Sequence, residues 1–308
     1  MEAVQQATRT QIPREALLPT ANLGLIRMAT TVGTNALLER NGSRCAFVVT
    51  KGFRDLLHIG NQSRPKIFDL AVKMPESLHE SVVEVDERVT LLGYTAGASS
   101  KIPEVSNIPD LCVKGVTGEW VRILLAPDLI RLESDLRAFK AKGITSLAVA
   151  LLHSYTFPDH EILVGNLAES LGFTVSLSHK LAPMIKIVPR ANSSVVDAYL
   201  SPSIHLYLAQ FFSGFDSNIA NVPIQFMQSD GGLVPVSEFS GFKSLLSGPA
   251  AGVVGFAKTS YRNGVPVLGF DMGGTSTDVS RFDGRFEHVF ESITAGTVIT
   301  APQLGIRF

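Results

Sequence analysis

The sequence predicts an α/β protein built from two domains. The chain has 308 residues, and at roughly 150 residues per domain this length favours two. Hydrophobic residues make up 45% of the chain and charged residues 18%, which is enough apolar material for folded cores. Helix and strand patterns alternate in the middle of the chain. This order is typical of parallel strands joined by helices that cover the faces of a sheet.

The first elements are predicted close to the N-terminus. A strand over 23–30 leads into a helix over 31–40, which ends before an Asn-Gly pair suited to a left-handed C-cap. Further strands are predicted over 43–50 and near 88–92. Residues 95–118 are rich in Gly, Ser, Pro and Lys, so a surface loop is expected there.

The alternating stretch follows. Helices are predicted over 128–142 and 159–171, because apolar residues recur every three or four positions and a glycine follows each run. The apolar runs at 144–152 and 173–177 predict strands that come directly after these helices.

The C-terminal third mixes both patterns. An Asp283-Gly284 pair is a strong signal for a two-residue hairpin turn, so the two strands around it are expected to pair. The predicted elements are a helix over 193–215 interrupted at Pro202, a strand over 223–228, a helix over 247–260, and strands over 265–270, 277–282 and 285–290.

Charge and cysteine usage exclude several classes of protein. A net charge of −1 and a pI near 6.7 argue against a nucleic-acid partner. Cys45 and Cys112 stand far apart, which favours neither a zinc site nor a disulfide framework and fits a reducing compartment. No run of 18 apolar residues and no signal-peptide pattern is found, so a cytosolic protein without a membrane partner is expected.

The strongest candidate site is the segment Leu268–Ser280, in which an apolar strand leads into Asp271, two glycines, three hydroxyl side chains and Asp278. The backbone N–H groups of Gly273 and Gly274 can approach an anion closely, and threonine hydroxyls can donate to phosphate oxygens. Since a carboxylate repels phosphate, Asp271 is predicted to act through Mg²⁺, with water between them. The predicted phosphate-binding residues are Asp271, Gly273, Gly274, Thr275, Thr277 and Asp278.

An ordinary β-hairpin with a glycine turn and solvent-facing hydroxyls is the alternative for this segment. The phosphate site is favoured because two acids flank the turn. The strands around it are otherwise expected to be buried, and an ordinary hairpin seldom places acids there.

Two further turns lie beside predicted strand ends. Gly248 begins the helix over 247–260, whose N-terminus would favour an anion, and Asp230 lies in a Ser-Asp-Gly-Gly turn. Each turn could admit a ligand to the backbone or serve close packing, and the sequence does not decide between the two.

A polar loop offers candidate substrate contacts. His58, Asn61 and Arg64 lie together there, and Arg64 could hold a carboxylate through two parallel hydrogen bonds. A solvated loop is the alternative that the sequence alone favours.

Five segments together resemble the hydantoinase A half of the hydantoinase/oxoprolinase family, most closely its eukaryotic-type ATP-dependent 5-oxoprolinases. They occur in the family's order and cover most of the chain: ATTVGTNALLER at 29–40, KGFRDLLHIG at 51–60, MQSDGGL at 227–233, LSGPAAG at 246–252 and GFDMGGTSTD at 269–278.

The resemblance implies an actin-like ATPase fold, shared with Hsp70 and sugar kinases, in which two α/β domains clamp a nucleotide and each offers a phosphate-binding hairpin. It also implies the opening of a small cyclic amide with ATP and Mg²⁺, here 5-oxo-L-proline to L-glutamate in glutathione turnover, by a protein that forms homo-oligomers. A hydantoin-opening relative and a non-catalytic truncated product are the alternatives.

The chain also departs from the family pattern. The family's first acidic-Gly-Gly-Thr hairpin has no counterpart before the segment at 29–40, and the family continues beyond the last residues of this chain. We therefore expect the fold to be truncated at both ends, with residues 1–190 as an N-terminal domain without its first hairpin and residues 191–308 as the start of the hydantoinase A domain. Little activity is expected from the chain alone, because one hairpin leaves phosphates open to water.

Overall fold

A computed structural model of the chain describes residues 5–6, 13, 16–60, 68, 76–93, 111–294 and 297–307. It divides into two compact units. The first comprises Met1–Asn41, Ser201–Phe290 and Pro302–Phe308, and the second comprises Gly42–Leu200 and Glu291–Ala301.

The strands in chain order are β1 (Ile26–Met28), β2 (Cys45–Thr50), β3 (Ser81–Val85), β4 (Arg88–Leu91), β5 (Cys112–Lys114), β6 (Trp120–Leu125), β7 (Ser146–Ala150), β8 (Thr174–Leu177), β9 (Ile224–Met227), β10 (Leu233–Pro235), β11 (Val267–Met272), β12 (Thr277–Phe282), β13 (His288–Val289), β14 (Ser292–Thr294), β15 (Thr297–Ile299), β16 (Gln303–Leu304) and β17 (Ile306–Arg307). The α-helices are α1 (Val32–Leu38), α2 (Leu56–Ile59), α3 (Leu129–Ala141), α4 (Asp159–Ser170), α5 (Ser178–Leu181), α6 (Ile187–Ser213), α7 (Gly241–Ser244) and α8 (Ser247–Ser260). Two 3-10 helices cover Ser217–Asn221 and Val236–Glu238.

The second unit is organised around a parallel sheet of four strands in the order β3-β2-β7-β8. Every residue of β2 and β7 is buried, as expected for strands covered on both faces. Leu132 and Leu136 of α3 and Val164 of α4 pack into the same core, because the apolar spacing places them on one side of each helix. The predicted alternation of helices and parallel strands is confirmed.

A smaller antiparallel sheet in this unit, β4-β6-β5, corrects one prediction. Residues 112–114 were expected to lie in a loop but form β5, in which Val113 faces Val121 of β6. The backbone N–H and C=O groups of these residues form hydrogen bonds with the neighbouring strand β6. Local composition does not reveal such a neighbour. Residues 95–110 of the expected loop lie outside the described residues.

Helix α6 begins six residues before the predicted start at 193. Ser193 and Ser194 have the side chains of a helix N-cap, but each hydroxyl bonds back to a carbonyl four residues earlier, on Pro189 (3.0 Å) and Arg190 (3.1 Å). A serine inside a helix and a serine that caps its start cannot be distinguished from the sequence, which explains why the start was predicted too late. Pro202 lies within the continuous helix.

The first unit contains a three-stranded sheet in which β1 and β9 run parallel and β10 is antiparallel. Phe226 of β9 stacks on Phe239 with ring centroids 4.7 Å apart and lies at the centre of the core. The chain leaves the carboxyl ends of β1 and β9 at the same edge, which is where α/β sheets present ligand-binding loops.

The predicted hairpin around Asp283-Gly284 is wrong. Strand β12 pairs with β11 on one side and with β17 on the other, whereas β13 pairs with β16. The turn itself is present, since Gly284 has a φ of +102°. The chain after the turn leaves the sheet, and a segment more than twenty residues later takes the place beside β12.

A buried polar cluster closes the carboxyl end of the parallel sheet. The carboxylate of Glu161 on α4 accepts hydrogen bonds from the N–H of Leu151 (3.2 Å) and from Ser178 Oγ (2.9 Å). Arg190 on α6 donates to the same serine hydroxyl (2.9 Å) and to the carbonyl of Leu151 (2.6 Å). Glu161 and Arg190 are both fully buried. The cluster thus joins β7, α4, α5 and α6.

The charge state of the cluster follows from its hydrogen bonds. Burial raises the pKa of Glu161, but hydrogen bonds from His179, Ser154 and the His179 N–H outweigh it and hold the pKa below its usual value. A depressed folded-state pKa stabilises the fold above the unfolded-state pKa, and this contribution is lost as pH falls through the folded-state pKa.

None of the helices within the described ranges combines the length and the apolar character that a membrane crossing requires.

We predict that Arg190→Met destabilises the chain by about 3–5 kcal/mol, because it removes the hydrogen bonds of the guanidinium to Ser178 Oγ and to the carbonyls of Leu151 and Met184. Urea unfolding followed by circular dichroism measures this loss. Arg137→Met is the control, since its ion pair with Glu133 is exposed and its removal costs about 0.5 kcal/mol or less. Similar losses in both variants would contradict a special role for the cluster.

The two cysteines are predicted to differ in reactivity. Burial, with a smaller effect of Glu80, raises the pKa of Cys45 to about 12, whereas Cys112 is partly exposed. Since the thiolate is the reactive form, Ellman's reagent near pH 8 should titrate Cys112 quickly and Cys45 only after unfolding. Cys112→Ser should remove the fast phase. A fast phase that survives in this variant would contradict the assignment.

Candidate functional site

The Asp271–Asp278 segment forms a β-hairpin, and the predicted glycine turn is confirmed as its tip. Strands β11 and β12 pair from Val267 opposite Phe282 to Met272 opposite Thr277. The N–H of Gly273 donates to the carbonyl of Ser276 (2.9 Å), which closes the turn.

The strands of this hairpin are not buried, contrary to expectation. Leu268, Phe270 and Met272 alternate along β11 and are 77%, 70% and 74% exposed. An apolar run in the sequence indicates a covered strand, but β11 lies at the edge of its sheet and only one of its faces is packed. That face rests on α8, where Gly269 lies against the ring of Phe256.

Two carboxylates face each other across the hairpin. Asp271 and Asp278 are direct neighbours in the register, so their side chains leave the same face of the ribbon. Burial and the charge of Asp271 raise the pKa of Asp278, and a hydrogen bond from Ser276 Oγ (3.4 Å) opposes this only in part. The sequence suggested both acids but not that they lie opposite each other, since that depends on the register.

The glycines at the tip have space around them. A Cβ atom on Gly274 would meet no atom within 4 Å, and one on Gly273 would meet only the Ser276 carbonyl at 3.5 Å. Neither glycine has a positive φ. Nothing in the described protein therefore requires glycine at 274, and the open space is available to a ligand.

Gly248 and the Asp230 turn lie together. The N–H of Gly248 donates to the Thr30 carbonyl (3.0 Å), and a Cβ at Gly248 would overlap the methyl group of Thr31. Asp230 accepts the N–H of Gly232 (2.8 Å) within its own turn. Both positions have a packing or turn role, and neither role excludes a ligand.

Ser229 connects these two turns, and the sequence analysis missed it. Its hydroxyl accepts the N–H of Leu246 (3.0 Å) and donates to the carbonyl of Lys243 (2.9 Å). A small polar residue two positions after β9 was the sequence signal for this connection.

Two contacts fix the direction of the hairpin along α8. Tyr261, just after the helix, packs edge-on against Phe282 (5.0 Å between centroids), and Phe256 lies against Gly269. Strand β11 therefore runs back toward the helix N-terminus. The hairpin tip therefore points toward the end of α8 at which Gly248 lies.

The predicted substrate loop is described only in part. His58 lies on the short helix α2 and is exposed. Asn61 and Arg64 lie outside the described residues. His58 belongs to the second unit, whereas the hairpin belongs to the first.

The fold is shared with an ATP-dependent enzyme. The crystal structure of the ATP-dependent caprolactamase from Pseudomonas jessenii matches 99% of this chain and 41% of that chain, with a TM-score of 0.70 and 22% identity. At this identity the likeness concerns the fold alone. The predicted α/β class is confirmed, and the architecture is consistent with the actin-like ATPase fold that the resemblance implied.

Sequence comparison then gives the family. The family model for the hydantoinase/oxoprolinase N-terminal region matches residues 1–172, and the model for hydantoinase/oxoprolinase matches residues 190–307. The chain belongs to the hydantoinase/oxoprolinase family. The motif-based resemblance is therefore confirmed at the family level.

Two curated relatives are named 5-oxoprolinase. The one from Dictyostelium discoideum is 53% identical over 297 residues, which cover 92% of this chain and 23% of that protein. The one from Saccharomyces cerevisiae is 53% identical over 303 residues, which cover 96% of this chain and 23% of that protein. The chain thus spans about a quarter of the length of these relatives.

We predict that Gly274→Ala changes the free energy of unfolding by less than about 0.5 kcal/mol, because its Cβ meets open space. The same methyl group should obstruct a phosphate at the tip and weaken Mg·ATP binding by roughly tenfold, the loss expected for one charged hydrogen bond. Urea unfolding and isothermal titration calorimetry measure the two effects.

Gly269→Ala provides the contrast within the same strand. Its Cβ would overlap the ring of Phe256, so this variant should lose about 1–3 kcal/mol of stability. Unchanged Mg·ATP affinity in Gly274→Ala would show that the tip does not bind phosphate.

Proposed function

We propose that the protein to which this chain contributes hydrolyses 5-oxo-L-proline to L-glutamate, with conversion of ATP and water to ADP and phosphate. Two curated 5-oxoprolinases at 53% identity support the substrate, and the shared fold of an ATP-dependent caprolactamase supports ATP-dependent opening of a lactam. The observation that carries the proposal is the open hairpin tip flanked by two facing carboxylates.

The hairpin would bind the phosphates of ATP. The N–H of Gly273 is used by Ser276, and no described hydrogen bond uses the N–H groups of Gly274 and Thr275, which are exposed. Together with the hydroxyls of Thr275 and Thr277 they form a set of donors for phosphate oxygens. Gly248 lies at the helix N-terminus toward which the hairpin points, and this end of the helix would add a favourable potential for an anion.

The two carboxylates fit Mg²⁺. The ion keeps several waters and takes one or two carboxylates together with substrate phosphates. Asp271 and Asp278, which lie opposite each other in the ladder, would hold the ion, with Asp271 acting through water. When bound, Mg²⁺ offsets the negative charge of the phosphates.

The need for ATP follows from the stability of the substrate. The amide of a five-membered lactam is resonance-stabilised and resists attack by water. Transfer of the terminal phosphoryl group from ATP to the amide oxygen, with ADP as the leaving group, would give an activated species. Water would add to its carbon, and the ring C–N bond would break as the nitrogen takes up a proton, which leaves an acyl phosphate. A second water would hydrolyse this acyl phosphate to the carboxylate and phosphate. The residues of this chain would position the phosphates for that transfer.

The proposal extends to the domains, the location, the assembly and the substrate contacts of the protein. We propose that residues 1–190 and 191–308 correspond to two functional domains, and that the protein acts in the cytosol, as a homo-oligomer, in glutathione turnover. His58, Asn61, Arg64 and Asp230 are proposed to contribute to the substrate site.

Mg·ATP binding by the chain tests the site. Asp271→Asn should weaken Mg·ATP binding by roughly tenfold or more, because it removes one of the two carboxylates that face the ion. Asp283→Asn is the matched control, since Asp283 lies on the same ribbon away from the tip and pairs with Arg281. Equal affinity of both variants, measured by calorimetry, would refute the nucleotide site.

Activity is best tested in a chimera in which this chain replaces the matching region of the Saccharomyces cerevisiae 5-oxoprolinase. The chimera should release glutamate from 5-oxoproline only with ATP, and the Asp271→Asn chimera should not. A chimera that unfolds cooperatively and binds Mg·ATP but releases no glutamate would refute the proposed substrate. The chain alone should release little.

A further inference from the structure

One face of the β11-β12-β17 sheet is apolar and uncovered. Leu268, Phe270 and Met272 project from this face and are each at least 70% exposed. Val279 lies directly opposite Phe270 on β12 and is 38% exposed. The other face of the sheet packs on α8, so this ribbon has one covered and one open side.

The open face also carries positive charge. Arg281 faces Leu268 across the ladder, and Arg307 of β17 faces Val279. Directly paired residues project to the same side, so both guanidinium groups flank the apolar row. Asp283 contacts Arg281 from the turn beyond the strand (3.0 Å).

Such a face is unusual for a protein surface. Large apolar side chains scattered singly are normal, but a contiguous row on an edge strand marks an interaction surface. An antiparallel sheet that leaves one face to solvent ordinarily carries polar side chains there, whereas this antiparallel sheet carries the apolar row.

We propose that this face docks a further polypeptide segment, namely the part of the protein that corresponds to the relatives' sequence beyond the region matched here. The chain spans 23% of the two 5-oxoprolinases and 41% of the caprolactamase chain, so those proteins have a large additional segment to place. The segment that fits is an amphipathic helix with an apolar stripe for β11 and acidic residues for the two arginines.

Charge disfavours a second copy of this chain as the occupant. In a symmetric dimer the same patch meets itself, so Arg281 and Arg307 of one copy would approach those of the other. Like charges brought together at an interface oppose association, whereas an acidic partner would be attracted.

The test compares the labelling of introduced cysteines in the chain alone and in the yeast chimera, both carrying Cys112→Ser. Leu268→Cys reports on the open face, and Met272→Cys reports on the same face should the first variant not fold. Ile130→Cys is the control, since Ile130 is 87% exposed on α3. Maleimide labelling of each introduced cysteine is followed by peptide mass spectrometry.

In the chain alone, the cysteines at 268 and 130 should label at similar rates. In the chimera, labelling at 268 should slow by tenfold or more, while labelling at 130 stays unchanged. Equal rates at 268 in the chain and in a cooperatively unfolding chimera would overturn the proposal.

Light scattering measures whether the chain alone is a monomer or a dimer, and so tests whether a second copy of the chain covers the open face. A monomer supports the proposal, and a dimer that Phe270→Glu dissociates but Ile130→Glu does not would assign the face to a second copy and overturn it. The labelling does not depend on nucleotide or on turnover, so the docking surface and the proposed activity can fail independently.

Discussion

Two carboxylates held face to face are the constraint on which the functional interpretation depends. Asp271 and Asp278 are paired by the register of β11 and β12, and like charges in directly opposite positions oppose the pairing of two strands. The raised pKa of Asp278 records part of that repulsion. A hairpin with no ligand to bind would be more stable with a neutral residue at either position. A divalent cation and the phosphates it accompanies turn the same pair from a cost into a binding determinant.

The scaffold holds this pair in place through close packing rather than through the tip itself. Gly269 allows β11 to lie directly on the ring of Phe256, and Tyr261 packs against Phe282 at the other end of the ribbon. These contacts fix the hairpin along α8, whose N-terminus at Gly248 is tied to Thr30. The glycines at the tip are under no comparable steric demand. Packing requires glycine at 269, whereas at 274 the requirement would come from ligand access if the proposed phosphate site is correct.

Much of the fold was predictable from the sequence, because the decisive signals were local. Apolar spacing located α3 and α4, and the Asp-Met-Gly-Gly turn located the tip of the hairpin. The error after Gly284 arose because a distant partner decides the structure, since β17 lies beside β12 in place of the strand expected there. The start of α6 was missed for a local reason, since Ser193 has the side chain of an N-cap but bonds back to Pro189 within the helix. For the candidate site, the sequence suggested both acids, but only the register shows that they face each other. The cluster around Glu161 and Arg190 joins residues too far apart in sequence for any pattern to show.

The open face of β11 and the open tip of the hairpin have a common consequence for catalysis. Both lie on a ribbon that is packed on one side only, so a bound phosphate would be contacted by donors from one direction and by water from the other. Electrostatic stabilisation is strongest where water is excluded and the dipoles are fixed in advance. A segment that covers Leu268, Phe270 and Met272 would also restrain the strand that carries Asp271. Docking at the apolar face and phosphate binding at the tip, as proposed, would therefore be coupled through β11, since one face of this strand would dock the segment and its end carries Asp271.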